Sequence, residues 1–294
     1  MKMMTDVETK GQVREFYDRV GWQEVGEGVY QNARYEDLRP VSRDYIHRCH
    51  LRVMRHLKSN GRYMLDAGSG PIQYPDYLEY SKGYDYRVCA DISITALQEA
   101  RKRIGENGLF VVADIANLPF APYVFDGVVS LHTIHHLPMD EHVQAYGELE
   151  RVLAPESTAV VVNGWGSPPI ARFLLMPMRW TNRLQGIVRR IIGHPSPSAN
   201  TGQADAAPKK KKPKGTFVRK SNAAWLKQEV GALIPLEILV WRSVSVKHLR
   251  TFVHDGWGGR GILRLLFWLE ERSPHFFGEK GQYPLVVIKK LRRE

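Results

Sequence analysis

Between residues 63 and 163 the chain alternates short apolar runs with helical segments, and this alternation limits its fold more than any other feature. Strands are predicted at 63–65, 87–90, 109–112, 124–131 and 158–163. Helices are predicted at 74–82, at 94–104 with Ser93 as the N-cap, and at 140–153. Strands that alternate with helices form a parallel sheet that is covered on both faces. We therefore predict an α/β fold.

The regions that flank this core differ from it in sequence pattern and composition. Apolar residues recur at helical spacing in the first sixty residues, and residues 194–216 are too rich in Pro, Ser, Ala and Lys to bury a core. The expected organisation is a helical N-terminal cap at 1–60, a core at 61–164, a basic insertion at 165–231 with a flexible linker at 194–216, a core strand within 232–245, a second basic and aromatic insertion at 246–281, and a last core strand with a basic tail at 282–294.

Composition excludes several classes of protein. With 294 residues, 43% of them hydrophobic and 25% charged, the chain is unlike a disordered, collagenous or coiled-coil protein. Two cysteines, Cys49 and Cys89, are too few for a disulfide framework and are typical of a reducing cytosol. Residues 1–10 lack the apolar region of a signal peptide, and the apolar stretches at 170–178 and 262–269 are far shorter than the roughly 20 residues of a membrane span. We expect a soluble protein, or one at a membrane surface.

The sequence LDAGSGP at 65–71 predicts a strand that enters a tight turn and then a helix. Gly68 and Gly70 allow the backbone to turn sharply and let a ligand approach main-chain amides. A dinucleotide-binding fingerprint would have glycine at position 73, where this chain has Gln73, and the Gly-Lys-Ser/Thr of a phosphate-binding loop is absent. By itself the turn is a weak signal.

Acidic residues follow three consecutive strands. Asp66 ends the first strand, Asp91 ends the second 21 residues after Gly70, and Asp114 ends the third. At the carboxyl ends of parallel strands, where open α/β folds bind ligands, a carboxylate such as Asp91 can accept both hydrogen bonds of a ribose diol. One such aspartate could be a turn residue or an N-cap, but the ordered set indicates a binding site.

Five segments together resemble the class I S-adenosylmethionine (SAM) dependent methyltransferases, especially the group that includes the ubiquinone and menaquinone methyltransferases. They are LDAGSGP, CADIS, ADIANLPF, FDGVVSLHTIHHL and ELERVLAPES, all between residues 65 and 157. The resemblance implies SAM as cofactor and a methyltransferase activity, and it says little about the methyl acceptor. The segment Pro71-Ile72-Gln73 departs from the family pattern, in which many relatives have a third glycine.

The resemblance also implies a role for nine residues at the cofactor. Those expected around the methionine moiety are Asp66, Gly68, Ser69 and Gly70. Asp91 is expected at the ribose, and Leu131 at the methyl side. The residues expected at the adenine are Ile92, Asp114 and Ile115. A sulfonium cation with an ammonium group favours such acidic surroundings.

The family fold is a doubly wound, Rossmann-like, seven-stranded sheet whose last strand is antiparallel and lies between strands five and six. We assign 236–241 as strand six and 283–289 as strand seven. Both insertions would then leave the sheet at its C-terminal edge, beside the cofactor. We expect them to form the mouth through which the acceptor enters.

Three histidines follow strand four. His132, His135 and His136 lack a carboxylate or cysteine that would complete a metal site, so no metal is expected. They could pack beside the cofactor, or one could take the proton of a hydroxyl acceptor, for which His136 is the first candidate and His135 the second. Tyr17, on the first predicted helix, is a third candidate, because related enzymes fold such a helix over the cofactor. An amphipathic helix that only packs on the core would show the same sequence pattern.

Charge is unevenly distributed along the chain. Residues 1–160 contain 18 Lys and Arg against 23 Asp and Glu, whereas residues 161–294 contain 24 against 8. The segments 170–192 and 257–272 mix aromatic, aliphatic and arginine residues, which is typical of helices at an anionic membrane surface and also of helices that pack on a sheet. We expect a small-molecule or lipid-linked acceptor and a cytoplasmic protein, peripheral on the inner membrane face. The lysine run at 209–214 could be a solvated linker, a tether to lipid headgroups or nucleic acid, or a nuclear localisation signal in a eukaryotic protein, and we favour the linker.

Two other functions fit parts of the sequence. A nucleic-acid-binding protein or methyltransferase could use the basic second half, although Ser130-Leu131-His132-Thr133 stands where amino-group nucleic-acid methyltransferases have an Asn/Asp-Pro-Pro-Tyr/Phe motif. The second of these functions is that of a scaffold that binds SAM without turning it over. An NAD-dependent oxidoreductase is opposed by Gln73 and by the segments that follow strands three and four.

Overall fold

The computed structural model describes residues 6–18, 24–26, 29–30, 36–174 and 217–291. The strands are β1 (Glu24–Gly26), β2 (Val29–Tyr30), β3 (Gly61–Ala67), β4 (Tyr84–Asp91), β5 (Gly108–Val112), β6 (Phe125–Leu131), β7 (Leu153–Val162), β8 (Leu236–Arg242) and β9 (Tyr283–Lys289). The helices are α1 (Asp6–Phe16), α2 (Pro40–Leu51), α3 (Ile94–Ile104), α4 (Glu141–Val152), α5 (Pro169–Leu174), α6 (Ala223–Trp225), α7 (Val246–Phe252), α8 (Gly259–Arg272) and α9 (Pro274–Lys280).

Seven strands form one sheet in the order β5-β4-β3-β6-β7-β9-β8. Neighbours from β5 to β7 are parallel, whereas β9 is antiparallel to both β7 and β8. The predicted Rossmann-like sheet is therefore confirmed, including the antiparallel last strand between the fifth and sixth. This topology places the carboxyl ends of β3, β4, β5 and β6 at one edge.

The sheet is buried on both faces because successive side chains of its strands point in opposite directions. Leu65 and Val128 contribute to the core on one face, and Met64 and Val129 to the core on the other. All four side chains are fully or almost fully buried. A sheet covered on both sides is what the continuous apolar runs predict.

Local signals in the sequence predicted the boundaries of α3 and α4 to within one residue. The side chain of Ser93 accepts a hydrogen bond from the amide of Ala96, so Ser93 is the N-cap of α3 as predicted. The predicted helix at 74–82 is instead a 3-10 segment, Pro75–Ser81. At the end of α4, Leu153 already belongs to β7, so the predicted strand at 158–163 begins earlier.

The N-terminal region is less uniformly helical than its sequence indicates. It contains α1 and α2, but also the antiparallel pair of β1 and β2. Strands of two and three residues are too short to show a period of two, so the hydrophobic pattern could not predict this pair.

The second insertion packs against the N-terminal cap. Tyr45 and Cys49 of α2 form one apolar cluster with Leu263 and Phe267 of α8. The carboxylate of Glu270, also on α8, is fully buried; it accepts a hydrogen bond from Tyr45 at 2.8 Å and pairs with Arg52 at 2.9 Å. This arrangement fixes α8 beside α2. In the described ranges, no helix is long and apolar enough to cross a membrane.

Candidate functional site

A cavity of about 530 Å³ opens at the carboxyl ends of β3, β4 and β6. All twelve residues predicted for the site line it: Tyr17, Asp66, Gly68, Ser69, Gly70, Asp91, Ile92, Asp114, Ile115, Leu131, His135 and His136. The topology brings them together because the strands that precede them end at the same edge of the sheet.

The turn after β3 requires glycine at two positions. Gly68 has φ +76°, and a Cβ atom on it would lie 2.1 Å from Cγ2 of Thr133. The hydroxyl of Thr133 donates to the carbonyl oxygen of Gly68 at 3.1 Å, so the two segments are in direct contact. Gly70 has φ +55°. The backbone here leaves no room for a side chain at 68 and exposes main-chain atoms to the cavity.

Asp91 is held by two backbone amides. Its carboxylate accepts from Gly70 at 2.9 Å and from Ser93 at 2.8 Å. Burial raises the pKa of Asp91 to about 6, although the two amide donors oppose the shift. No described basic side chain forms an ion pair with it. An acceptor of this kind fits a neutral diol or a positively charged ligand.

Asp66 and Asp114 line the cavity, but each carboxylate already has a basic partner. Asp66 pairs with Arg87 of β4, and both side chains are buried. Asp114 Oδ2 lies 2.5 Å from Nζ of Lys10, which also lies 2.6 Å from Glu141. Burial opposes the charge of Lys10, but the two carboxylates raise its pKa. The sequence predicted the three aspartates and gave no sign of these partners.

His136 is oriented by one carbonyl and one hydroxyl. Its Nδ1 lies 2.8 Å from the carbonyl oxygen of Phe217, which can only accept, so Nδ1 carries the proton. Nε2 is then unprotonated and accepts from the hydroxyl of Tyr17 at 2.8 Å. Burial lowers the pKa of His136 to about 4, and the Phe217 carbonyl opposes this shift. At neutral pH the ring is an uncharged base.

The other two histidines of the loop are also neutral. Burial lowers the pKa of His132 to about 3 and that of His135 well below its usual value. His135 Nδ1 lies 3.1 Å from Oδ1 of Asn163, and its ring centroid lies 4.2 Å from that of His136. Within the described residues no group of His, Cys, Asp and Glu side chains could hold a metal ion.

Several lining residues were not predicted. Glu36 and Arg242 form a buried ion pair on the cavity wall, across 206 positions of sequence. Burial raises the pKa of Glu36, but Arg242 and His50 outweigh it and lower the pKa to about 2. Lys220 also lines the cavity. No local motif predicts these residues, because their positions on the cavity wall depend on which helices and strands pack together.

The two insertions have different relationships to the cavity. Val218 and Lys220, near the end of the first insertion, line it as the topology predicted. No described residue of the second insertion does, which corrects the expectation that both form the mouth. The linker at 194–216, the lysine run at 209–214 and most of the segment 170–192 lie outside the described residues.

Comparison with known proteins identifies the core. Residues 65–161 match the family model described as a methyltransferase domain. The chain is 32% identical over 126 residues to the mouse (Mus musculus) protein named probable tRNA methyltransferase 9B. That alignment covers 41% of this chain and 26% of the mouse protein, so the chain spans about a quarter of this curated relative.

Solved structures show the same fold at low identity. Phosphoethanolamine N-methyltransferase 1 of Haemonchus contortus, in complex with phosphoethanolamine and S-adenosylhomocysteine, has a TM-score of 0.54 at 12% identity, covering 98% of this chain and 50% of that one. The [4+2]-cyclase SpnF has a TM-score of 0.51 at 16% identity, covering 97% and 98%. Because one of these proteins is named a cyclase, the fold alone does not specify the reaction.

Residues 65–161 therefore match a methyltransferase domain, and the chain shares its fold with methyltransferases, one of which was solved in complex with S-adenosyl-L-methionine. The cavity fits this cofactor. The glycine turn exposes its backbone, Asp91 offers a carboxylate that no described cation neutralises, and Ile92 and Ile115 provide apolar surface.

Proposed function

We propose that this chain transfers a methyl group from SAM to an oxygen or carbon atom of a small or lipid-like acceptor. The observation that carries the proposal is the pair of Tyr17 and His136 on the wall of the cofactor cavity, with Nε2 of His136 unprotonated. SAM supplies a methyl group on a sulfonium, which reacts by in-line displacement.

One group of residues would bind the cofactor, and another would take part in proton transfer. Asp91, Gly68 and Gly70 would hold the cofactor, and the loop that follows β6 lines the same cavity. When the acceptor is a hydroxyl, it takes the place of Tyr17 as the hydrogen-bond donor to Nε2 of His136. Its oxygen forms the new bond to the methyl carbon, the bond from that carbon to the sulfonium sulfur breaks, and the hydroxyl proton passes to Nε2. Tyr17 holds the imidazole ring and brings α1 across the cavity. Holding the two reactants close and aligned is the larger contribution to the rate.

Methyl-labelled SAM and a lysate of the source organism provide the test. We expect label in a small-molecule or organic-solvent fraction with the native chain, and at least a tenfold lower amount with His136→Gln. Absence of label in every fraction, with SAM bound, would favour a SAM-binding scaffold without turnover.

A membrane surface is the finer part of the proposal, with the protein peripheral on the cytoplasmic face. Leu265 and Trp268 of α8 are 58% and 57% exposed, and Ile262 and Leu269 of the same helix are exposed as well. A second cavity, of about 300 Å³, is lined by Arg48, Arg260 and Arg264 beside this helix. Exposed apolar side chains next to arginines fit an anionic lipid surface.

RNA is a second candidate acceptor. It rests on the name of the mouse relative and on the basic composition of residues 161–294. Label that is acid-precipitable and lost on ribonuclease treatment would support RNA and exclude the small or lipid-like acceptor.

A further inference from the structure

The charged side chains on the cavity wall are almost all neutralised within the protein. Three carboxylates have basic partners, and the pairs are Glu36 with Arg242, Asp66 with Arg87 and Asp114 with Lys10. Asp91 instead accepts two backbone amides. Among the described residues of the wall, this leaves Lys220 as the one cation without a carboxylate partner. Burial lowers its pKa.

Lys220 is placed by the backbone around it. The carbonyl oxygen of Phe217 accepts from His136, the amide of Arg219 donates to His135 O at 2.7 Å, and the amide of Gly166 donates to Ser221 O at 3.1 Å. The segment 217–221 is thereby fixed on both sides of Lys220. Its position next to the histidine loop is part of the folded structure.

A glycine makes room for the ammonium group. A Cβ atom on Gly164 would lie 3.3 Å from Nζ of Lys220 and 3.4 Å from Cε1 of Tyr283. The ammonium group thus lies beside Gly164, in the loop after β7, and near the ring of Tyr283 at the start of β9. Lys220 is exposed, and it lines the cavity.

We propose that Lys220 binds an anionic group, a carboxylate or a phosphate, on the methyl acceptor. A cation that is partly desolvated and has no internal partner is stabilised when a ligand supplies the opposite charge. In the proposed function Asp91 holds the cofactor, so the two charged groups of the described wall that lack an ion-pair partner serve different ligands, Asp91 the cofactor and Lys220 an anionic acceptor. This inference rests on the proposed methyltransferase function and names the class of its acceptor.

An anionic acceptor would also change the histidine loop. Burial is the main reason why the pKa values of His132, His135 and His136 are low, and the charge of Lys220 lowers each of them further. A bound anion beside Lys220 would offset that contribution. His136 would then be a stronger base in the complex with the acceptor than in the free protein.

Small aromatic anions and their neutral analogue provide a direct test. With the full chain saturated with S-adenosylhomocysteine, binding of benzoate, phenyl phosphate and uncharged benzamide is measured by calorimetry. We expect at least one anion to bind at least tenfold more tightly than benzamide. Whichever of benzoate and phenyl phosphate binds more tightly then shows whether Lys220 prefers a carboxylate or a phosphate.

Three variants assign the effect to Lys220. Lys220→Met should weaken binding of the anion at least tenfold, and Lys220→Arg should keep it within about threefold. Lys227→Met, which removes a surface lysine paired with Glu279, should have no effect. Equal binding of benzamide, no binding of either anion, or an anion affinity unchanged in Lys220→Met would overturn the proposal. Failure to bind S-adenosylhomocysteine would instead refute the proposed function.

Discussion

The hydroxyl of Tyr17 lies 2.8 Å from Nε2 of His136, although 119 positions separate the two residues. The contact joins α1 to the loop after β6 and orients a neutral imidazole beside the cofactor cavity. A second contact of α1, from Lys10 to Asp114, lies across the same opening. The N-terminal helix is therefore part of the cavity wall, and the candidate base depends on it.

His136 and Tyr17 can be tested together once an acceptor fraction has been identified. We expect His136→Gln to lower kcat about 100-fold, which is the lower range for loss of a general base. Tyr17→Phe should lower kcat less, because the base remains and only its orientation is weakened. Affinity for S-adenosylhomocysteine, measured by calorimetry, should stay within threefold in both. A native kcat in His136→Gln would exclude this histidine as the base.

Asp91 is expected to determine cofactor affinity. Asp91→Asn removes a charged hydrogen-bond acceptor. Loss of a charged hydrogen bond should raise the dissociation constant for SAM about 10- to 100-fold. Glu99→Gln, which removes a half-buried carboxylate of α3 that pairs with Lys102, is a matched control for the loss of one carboxylate. Titration calorimetry measures both. An Asp91→Asn affinity equal to that of the control would argue against a cofactor role.

The same carboxylate predicts a dependence on pH. Burial raises the pKa of Asp91 to about 6, so the free protein protonates it below that value. If SAM binds the ionised form, its affinity is constant above pH 6 and falls about tenfold for each pH unit below it. Dissociation constants between pH 4.5 and 8 test this. In Asp91→Asn the decline should disappear, whereas an identical decline in the variant would assign it to another group.

The buried pair of Asp66 and Arg87 should be important for stability. Arg87→Met removes the partner and leaves a buried carboxylate, which is expected to cost about 3–5 kcal/mol in the free energy of unfolding. Urea unfolding followed by circular dichroism gives the value. The double variant Asp66→Asn with Arg87→Met should recover part of the loss. A double variant less stable than Arg87→Met would show that Arg87 contributes mainly through packing.

Membrane association can be measured on vesicles. Leu265→Ser with Trp268→Ser should weaken binding to phosphatidylglycerol vesicles at least tenfold, because burying each side chain contributes about 1.5–3 kcal/mol. Leu233→Ser is the matched control, since Leu233 is 69% exposed and lies outside α8. Co-sedimentation provides the measurement. If native protein fails to sediment with these vesicles, the membrane part of the proposal is wrong.

The sequence alone was sufficient for the sheet and for bringing the predicted site residues to one cavity. The boundaries of α3 and β9, the N-cap at Ser93, and the turn at Gly68 and Gly70 depend on interactions within a few residues. Asp91 could be predicted as well, because a parallel sheet brings the ends of its strands to one edge. These features follow from local periodicity, turn chemistry and topology, all of which are present in the order of the residues.

Only the tertiary structure decided what neutralises the predicted acids and which further residues line the cavity. Arg87 beside Asp66, Lys10 beside Asp114 and the placement of Lys220 depend on contacts between distant segments. The second insertion likewise packs on α2, away from the cavity, because its apolar face matches that helix. Such pairings result from the complementarity of surfaces that form only when the elements have packed, so no local pattern in the chain records them.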